Sequence, residues 1–243
     1  MAKQFLISVI IPVFNEEQNI KPLVQELTNV LKPYSYEIIF INDGSKDHTI
    51  REIKKHTKNE SIRLLSFTRN FGHQMALSCG YMHAKGDCVI SMDSDMQDPP
   101  SVIPEMIGKW ENGYQIVYAK RQKREVDSWF KRSTARFFYQ LINVLSDTPI
   151  PEDVGDFRLL DRSVVEFLNL LPERSRFLRG LVAWGGFSST SVMFNRERRL
   201  SGATHYTLSR MFNFALEGIT SFSTKPLRIA TLLGFISGLI GFL

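Results

Sequence analysis

The chain has 243 residues, of which 43% are hydrophobic and 23% charged, and its formal net charge is +5. This length and composition allow a substantial buried core and exclude an intrinsically disordered or low-complexity protein. The two cysteines, Cys79 and Cys88, form no Cys-x-x-Cys pair, and no histidines stand at metal-ligand spacing, so neither a disulfide framework nor a zinc site is indicated. The N-terminal apolar run is too short and too β-branched for a secretory signal peptide, which predicts a cytoplasmic domain.

Runs of β-branched and apolar residues alternate along the chain with segments of helical periodicity. Strands are predicted for Leu6 to Ile11, Glu37 to Ile41, Ile62 to Phe67, Cys88 to Met92 and Gln115 to Ala119. Helices are predicted for Ile20 to Leu31 with Asn19 as N-cap, Asp47 to His56, Gln74 to His83 and Pro100 to Glu111. This alternation is typical of an α/β domain with helices on both faces of a mainly parallel sheet.

Polar and acidic side chains follow four of the five predicted strands. The segments at these strand ends are PVFNEE, NDGS, TRNFG and MDSDMQD. Ordinary loop composition explains scattered Asn, Asp and Gly, but it does not explain carboxylates that recur at one edge of a sheet. Because ligands of such sheets bind at the carboxyl ends of the strands, we expect one binding site there.

The most acidic of these segments is DSDMQD, residues 93–98. Its oxygen ligands suit Mg²⁺ or Mn²⁺, which bind few protein carboxylates and leave other positions to water and substrate phosphates. A calcium loop of the EF-hand type fits less well, because Asp98 replaces the required Gly and Pro104 stands where a bidentate Glu is needed. The glycine-rich motifs of P-loop and dinucleotide-binding proteins are absent from the sequence.

Four motifs, VIIPVFNEEQNI, FINDGSKDHT, RNFGHQMALSCG and DSDMQDPP, resemble in order the nucleotide-sugar domain of inverting GT-A glycosyltransferases. Three later motifs, GDFRLLDR, RFLRGLVAWGGF and GITSFSTKPLRIA, resemble the polyprenyl-phosphate glycosyltransferases, which include bactoprenol glucosyltransferase and dolichol-phosphate mannose synthase. The resemblance covers nearly the whole chain. It implies an α/β GT-A fold for the catalytic domain, expected over residues 1–203.

The C-terminal part of the chain has a different composition, since residues 229–243 contain no charged side chain. A transmembrane helix needs about 20 apolar residues, so this stretch is either a buried terminal helix or the first part of a longer membrane span. Lys225 and Arg228 precede it and favour a membrane span that leaves the preceding domain on the cytoplasmic side. We expect a truncated transmembrane segment over 227–243 and, before it, an amphipathic juxtamembrane helix over 204–226, with a core-packed helix as the alternative.

The resemblance implies roles for individual residues. The residues expected to bind the nucleotide are Pro12, Phe14, Glu16, Asp43 and Asp93. Asp95 and Gln97 are the expected ligands of Mg²⁺ or Mn²⁺, which would offset charge on the departing nucleoside diphosphate.

Asp156 corresponds to the family's proposed catalytic base. A phosphate monoester has a second pKa of about 6, so a lipid phosphate is largely dianionic at neutral pH and hardly needs a base. Three alternatives therefore stay open. Asp156 orients the acceptor, it removes a residual proton from the acceptor, or it forms a structural pair with the neighbouring Arg158.

Basic residues concentrate over 119–136 and again over 196–199. Those expected to bind phosphate or the acceptor are Lys120, Arg121, Arg132, Arg136 and Arg199. Aromatic residues accompany the basic residues of 129–138 at helical spacing, which favours an amphipathic helix at a lipid interface over a solvated helix with an ordinary core face. No recognised nucleic-acid-binding module accompanies this charge, so nucleic acid is not an expected partner.

The expected function is inverting transfer of a sugar from a nucleotide diphosphate sugar to undecaprenyl or another polyprenyl phosphate at the cytoplasmic membrane. UDP-glucose or a related UDP-sugar is favoured, and the product would be a lipid-linked sugar donor for cell-envelope glycosylation. A GDP-sugar donor or a non-polyprenyl acceptor is the alternative within enzymes. A nucleotide-binding membrane scaffold without turnover is the alternative outside them. The resemblance also implies self-association into homo-oligomers.

Overall fold

The computed structural model of the protein describes residues 5–122, 154–173, 176–195 and 225–242. The strands are β1 (Leu6–Val13), β2 (Ser35–Asn42), β3 (Ile62–Ser66), β4 (Cys88–Ser91), β5 (Ile116–Arg121), β6 (Val154–Asp161) and β7 (Ser189–Phe194). The helices are α1 (Ile20–Leu31), α2 (Thr49–Lys54), α3 (His73–His83), α4 (Ile103–Glu111), α5 (Arg162–Leu170), α6 (Leu178–Trp184) and α7 (Lys225–Phe242), and a 3-10 turn at Pro100–Val102 precedes α4.

The strands form one sheet in the order β3-β2-β1-β4-β6-β5-β7. The pairs β1/β2, β2/β3, β1/β4 and β5/β7 are parallel, whereas β6 runs antiparallel to both β4 and β5. The five predicted strands and the mainly parallel sheet are confirmed. Strands β6 and β7 were not predicted, because Gly155, Asp156 and Arg158 interrupt the apolar pattern of β6 and β7 begins with polar residues.

Both faces of the sheet are covered by helices, which explains why its central strands are apolar at successive positions. In β1, Val9 and Ile11 pack in the core layer that contains residues of α1 and α4, while Ile10 packs on the opposite face with residues of α3. The second layer also contains Val164 of α5 and Leu178 of α6. Helices α3, α5 and α6 therefore share one face of the sheet.

Strand β6 carries polar side chains into this second layer. Its residue Leu160 belongs to the layer of α3 and α6, and Phe157 and Leu159 belong to the opposite layer. Since side chains alternate along a strand, Asp156 and Arg158 lie on the same face as Leu160. The antiparallel course of β6 puts its first residues at the edge of the sheet where β4 and β5 end.

Helix α7 covers residues 227–242 of the segment 227–243 that was predicted to begin a transmembrane span. The side chains described in α7, from Thr231 onward, are all exposed. Among the helices of the described residues, none combines the length and apolarity that a membrane crossing requires. Most of the predicted juxtamembrane helix over 204–226 lies outside the described residues, so that assignment stays a prediction.

Candidate active site

The turn after β2 fixes one side of the strand-end region. The carboxylate of Asp43 is buried and accepts hydrogen bonds from the backbone N–H groups of Phe71 (2.7 Å) and Gly72 (2.9 Å). Gly44 has φ +73°, and a Cβ at this position would lie 2.5 Å from the carbonyl carbon of Arg69. The turn therefore requires glycine, and Asp43 ties it to the loop that leads into α3.

The residues after β1 lie at the same edge. Pro12 is buried within β1 opposite Ile41, whereas the ring of Phe14 is 42% exposed. The carboxylate of Glu16 accepts a 2.5 Å hydrogen bond from the side chain of Asn19. Asn19 precedes α1 as predicted, but its side chain forms no bond to the helix N-terminus. Of the nucleotide-binding residues predicted in this segment, Phe14 presents the most accessible surface to a ligand.

The acidic segment forms a tight turn directly after β4. Met96 has a left-handed backbone (φ 60°), and the Asp95 carboxylate accepts the N–H of Gln97 at 3.1 Å. Asp95 is buried, while the side chain of Asp93 is 37% exposed. The turn offers carboxylate oxygens and the amide oxygen of Gln97, which fits Mg²⁺ or Mn²⁺. Within the described ranges, no three or more His, Cys, Asp or Glu side chains converge on a metal site, so a cation here would draw further ligands from substrate or water.

Asp156 lies in a cluster of cationic and polar side chains on the α3 and α6 face of the sheet. Arg179 of α6 approaches its carboxylate with two nitrogens, Nε at 3.2 Å and Nη2 at 2.9 Å. Arg158 Nη2 lies 3.3 Å from the same carboxylate, and His73 Nε2 lies 3.2 Å from it. The contact between Asp156 and Arg158, one of the alternatives left open by the sequence, is therefore present, together with two contacts that were not predicted.

These contacts determine the protonation state of Asp156. Burial alone would raise its pKa, but Arg179, His73 and Arg158 together hold the pKa well below its ordinary range. Partial desolvation of its ring would lower the pKa of His73, whose side chain is 40% exposed, and the neighbouring Asp156 and Asp93 carboxylates raise the pKa above its ordinary value. Asp156 is therefore an ionised counter-charge for its neighbours and a weak base.

A buried series of hydrogen bonds links the backbone oxygen of Asp156 to Ser91 and Tyr81. Ser91 Oγ donates to the backbone oxygen of Asp156 at 2.5 Å and accepts from the hydroxyl of Tyr81 at 3.0 Å. Arg158 Nε lies 3.4 Å from the same Tyr81 hydroxyl. Arg158 is fully buried, and its Nη1 atom has no hydrogen-bond partner within the described part of the chain. These hydrogen bonds fix the position of Asp156 relative to the end of β4.

His73, the first residue of α3, joins the acidic turn to this cluster. Its Nε2 atom lies 3.6 Å from Asp93 Oδ1 and 3.2 Å from Asp156 Oδ2. No role was predicted for His73 or Arg179, although both stand in the motifs RNFGHQMALSCG and RFLRGLVAWGGF that carry the family resemblance. Their positions in these motifs were the sequence feature that could have indicated a role in the site.

The predicted acceptor-binding residues are described only in part. Lys120 and Arg121 are half-buried at the end of β5, where a register shift places Lys120 opposite Val154 of β6. A Cβ at Gly155 would lie 3.7 Å from the Arg121 Nη2 atom, so this guanidinium lies beside the residue that precedes Asp156. The remaining residues predicted for this role, Arg132, Arg136 and Arg199, lie outside the described residues and stay predictions.

Comparison with known proteins gives a consistent assignment. A family profile described as "Glycosyl transferase family 2" matches residues 8–168. The chain is 47% identical over 240 residues to a bactoprenol glucosyl transferase of Shigella phage SfV, which covers 98% of this chain and 78% of the relative. It is 46% identical over 237 residues to an uncharacterized glycosyltransferase of Synechocystis sp., covering 96% of this chain and 74% of that protein.

Solved structures show the same fold at low sequence identity. Glucosyl-3-phosphoglycerate synthase from Mycobacterium tuberculosis, crystallised with Mn²⁺, UDP-glucose and phosphoglyceric acid, superimposes with a TM-score of 0.64 at 17% identity, covering 89% of this chain and 78% of that one. The same enzyme with Mg²⁺ and UDP gives a TM-score of 0.63 at 18% identity, with coverages of 89% and 77%. At these identities the likeness establishes the fold.

Proposed function

Because the chain belongs to glycosyl transferase family 2 and has a GT-A-like α/β fold, we propose that it transfers glucose or a related hexose from a UDP-sugar to a polyprenyl phosphate, with inversion at the anomeric carbon. The observation that carries the proposal is the 47% identity with a bactoprenol glucosyl transferase over 98% of this chain. A similarity of that extent spans both the acidic turn and the Asp156 cluster.

The donor would occupy the edge formed by the ends of β1, β2 and β4. The exposed ring of Phe14, the buried carboxylate of Asp43 and the half-exposed Asp93 are the side chains proposed for the nucleoside, with Pro12 and Glu16 shaping the segment. Asp95 and Gln97 would hold Mg²⁺ or Mn²⁺. When bound, such a cation offsets the negative charge that develops on the leaving diphosphate.

The chemistry proposed is an in-line displacement. A phosphate oxygen of the acceptor attacks the anomeric carbon, the bond from that carbon to the diphosphate oxygen breaks, and its electron pair leaves with UDP. Since the second pKa of a phosphate monoester is about 6, the acceptor is already mostly dianionic at neutral pH. The low pKa of Asp156 agrees with a mechanism that needs no proton removed from the acceptor.

The acceptor would approach from the side of β5 and β6. Lys120 and Arg121 supply positive charge at that edge, and Arg132, Arg136 and Arg199 are proposed to extend it. The exposed apolar side chains of α7, such as Phe235 and Leu239, support attachment to a membrane. We therefore propose that the enzyme acts at the cytoplasmic face of the cell membrane, where a polyprenyl phosphate presents its headgroup.

A label-transfer assay tests the function. Membranes containing the protein are incubated with Mg²⁺, undecaprenyl phosphate and, in separate reactions, labelled UDP-sugars and GDP-sugars. Label from a UDP-hexose is expected in the organic phase, to be lost with Asp95→Ala and retained with Glu105→Gln, which removes an exposed carboxylate of α4. Transfer of label from a GDP-sugar instead would identify a GDP-sugar as the donor. UDP binding without any transfer would favour a nucleotide-binding scaffold instead.

A further inference from the structure

We propose that Tyr81 is a positioning residue for sugar transfer, and that its hydroxyl group acts by holding Asp156 in place at the start of β6. The inference deepens the proposed function and rests on it, because Asp156 belongs to the same site. Tyr81 lies in α3 and is only 1% exposed, so its hydroxyl group acts from within the protein and does not touch a substrate.

The backbone around Asp156 is not paired regularly with either neighbouring strand. The antiparallel ladder between β4 and β6 ends at Ser91 and its partner Arg158, two positions short of Asp156. On the other side of β6, the register with β5 shifts between Tyr118 and Lys120, and Asp156 lies in the stretch opposite this shift. Because such a bulge leaves residues without a partner in the ladder, side chains must supply the contacts that fix Asp156.

A hydroxyl group of β4 supplies one of these contacts. Ser91 Oγ donates to the backbone oxygen of Asp156 at 2.5 Å, which continues the connection between β4 and β6 past the last ladder pair. The Tyr81 hydroxyl donates to Ser91 Oγ at 3.0 Å. Since a serine hydroxyl carries a single hydrogen, this contact leaves the hydrogen of Ser91 directed at Asp156.

The direction of these hydrogen bonds is set by Arg158. A guanidinium has donors only, so Arg158 Nε donates to the Tyr81 oxygen, 3.4 Å away, and the hydrogen of Tyr81 points to Ser91. Arg158 Nη2 in turn lies 3.3 Å from Asp156 Oδ1, which closes a ring of four residues. All four are buried, and a hydrogen bond lost in such surroundings is not readily replaced by water.

The ring lies directly beside the acidic turn. Ser91 stands two positions before Asp93 in the chain, and His73, the first residue of α3, contacts both Asp93 and Asp156. Helix α3 therefore holds Asp156 at two points, through His73 at its carboxylate and through Tyr81 and Ser91 at its backbone. The Tyr81 hydroxyl thus helps to set the distance between Asp156 and the proposed donor site, where a displacement of about 1 Å can cost up to about 100-fold in rate.

The test uses the full chain and removes single hydroxyl groups. Tyr81→Phe keeps the aromatic ring in the core, and Ser91→Ala removes the next hydroxyl of the ring of four. The matched control is Ser78→Ala, because Ser78 is a buried residue of the same helix whose hydroxyl donates to the backbone oxygen of Gln74. Each variant is also made in the Asp156→Asn background, and thermal unfolding checks that each is folded.

Steady-state kinetics with undecaprenyl phosphate and UDP titration at saturating Mg²⁺ give the first readout. Tyr81→Phe should lower kcat/KM about tenfold and leave the UDP affinity within about twofold of the wild type. In the Asp156→Asn background, the same substitution should change kcat/KM less than about twofold, since Tyr81 acts through Asp156. Ser91→Ala is judged by the same criteria if Tyr81→Phe does not fold.

Three kinetic results would overturn the proposal. They are a kcat/KM of Tyr81→Phe within about twofold of the wild type, a loss that multiplies with that of Asp156→Asn, and an equal loss of kcat/KM in Ser78→Ala. The first would show that the hydroxyl is not needed, the second that Tyr81 acts independently of Asp156, and the third that the loss reflects general destabilisation.

Amide hydrogen exchange over residues 154–158 gives a readout that does not depend on activity. Exchange there should become about tenfold faster in Tyr81→Phe and Ser91→Ala and stay unchanged in Ser78→Ala. If the wild type binds UDP but transfers no sugar, the proposed function fails, and the exchange alone then decides whether Tyr81 holds Asp156. Unchanged exchange in Tyr81→Phe would overturn the positioning role.

Discussion

The guanidinium of Arg179 holds the carboxylate of Asp156 through two nitrogens, at 3.2 and 2.9 Å. The residues come from two separate motifs, one at the start of β6 and the other at the start of α6. The same buried carboxylate is also contacted by His73 and Arg158. Asp156 is therefore suited to organising charge, which is a different task from removing a proton.

The pH dependence of Asp156→Asn tests whether Asp156 organises charge or acts as a general base. Burial would raise the pKa of Asp156, but Arg179, His73 and Arg158 outweigh it and keep the carboxylate ionised at ordinary assay pH. We expect kcat/KM to fall about tenfold or more, because a charge-assisted contact is lost. The acid limb of the profile between about pH 5 and pH 9 should keep its position in the variant.

A general-base role for Asp156 would change the pH profile in a different way. If the carboxylate acts as a general base with a pKa inside the assayed range, the acid limb of the wild type disappears in Asp156→Asn. Arg176→Gln serves as the reference variant, since its described contacts are outside the cluster. Its profile should superimpose on that of the wild type.

Asp95 should tolerate substitution less than any other residue of the acidic turn. Asp95→Asn keeps the size of the side chain but removes the charge that a divalent cation needs, and the turn formed with Gln97 is retained in part. We expect transfer to fall about 100-fold or more, with partial recovery at high Mn²⁺. Measuring the rate against Mg²⁺ and Mn²⁺ concentration checks this, with Glu105→Gln as the control. An unchanged metal dependence would remove Asp95 from the cation site.

Much of the fold follows from local sequence, because its central strands are short apolar runs bounded by turns. Strands such as β1 and β2 are buried on both faces, and this burial produces their nearly continuous hydrophobic sequence. Strand β6 escaped prediction since Asp156 and Arg158 face the interior as a charged pair. Their burial depends on partners from α3 and α6, which periodicity within β6 cannot reveal.

Only part of the candidate site could be predicted from local sequence. The acidic turn is contiguous in sequence, so its clustered aspartates could be assigned to one edge before the structure was known. The contacts of His73 and Arg179 with Asp156 span 83 and 23 positions of the chain, respectively. Such contacts arise only when the first turns of α3 and α6 are brought together next to the start of β6. The motifs marked these residues, but their partners had to come from the fold.

Glu37 provides a stability prediction at the opposite edge of the sheet. Its carboxylate accepts hydrogen bonds from Ser8 Oγ and the N–H of Lys85, both at 2.7 Å, and from Arg63 Nη1 at 2.9 Å. Burial would raise its pKa, but these bonds lower it below the ordinary value of 4.5. Glu37→Gln should reduce the free energy of unfolding by about 1.5–3 kcal/mol at neutral pH.

The sign of the pH effect at Glu37 follows from linkage. A folded-state pKa below the unfolded value gives a stability contribution that is present above about pH 4.5 and is lost as the pH falls through the folded pKa. The difference between wild type and Glu37→Gln should therefore shrink below that pH. Chemical denaturation at a series of pH values measures it, with the exposed Glu60→Gln as control. A difference that grows on acidification would contradict the assignment.

Two glycines with left-handed backbones should respond differently to alanine. Gly44 has φ +73° and Gly113 has φ +95°, so each substitution carries the conformational cost of about 1–2 kcal/mol for an L-residue in this region. At Gly113 nothing lies within 4 Å of the added Cβ, whereas at Gly44 the Cβ would lie 2.5 Å from the carbonyl carbon of Arg69. We expect Gly44→Ala to cost about 2 kcal/mol more, as overpacking against backbone typically does.

The same substitution at Gly44 should also affect the site. Moving the backbone of Arg69 would disturb Phe71 and Gly72, two and three positions later, whose N–H groups hold the Asp43 carboxylate. Gly44→Ala should thus weaken UDP binding about tenfold if two charge-assisted hydrogen bonds are perturbed, while Gly113→Ala leaves it unchanged. Thermal unfolding and UDP titration of the two variants give both readouts. Equal unfolding costs, or equal UDP affinities, would show that the close approach at Gly44 relaxes without involving Asp43.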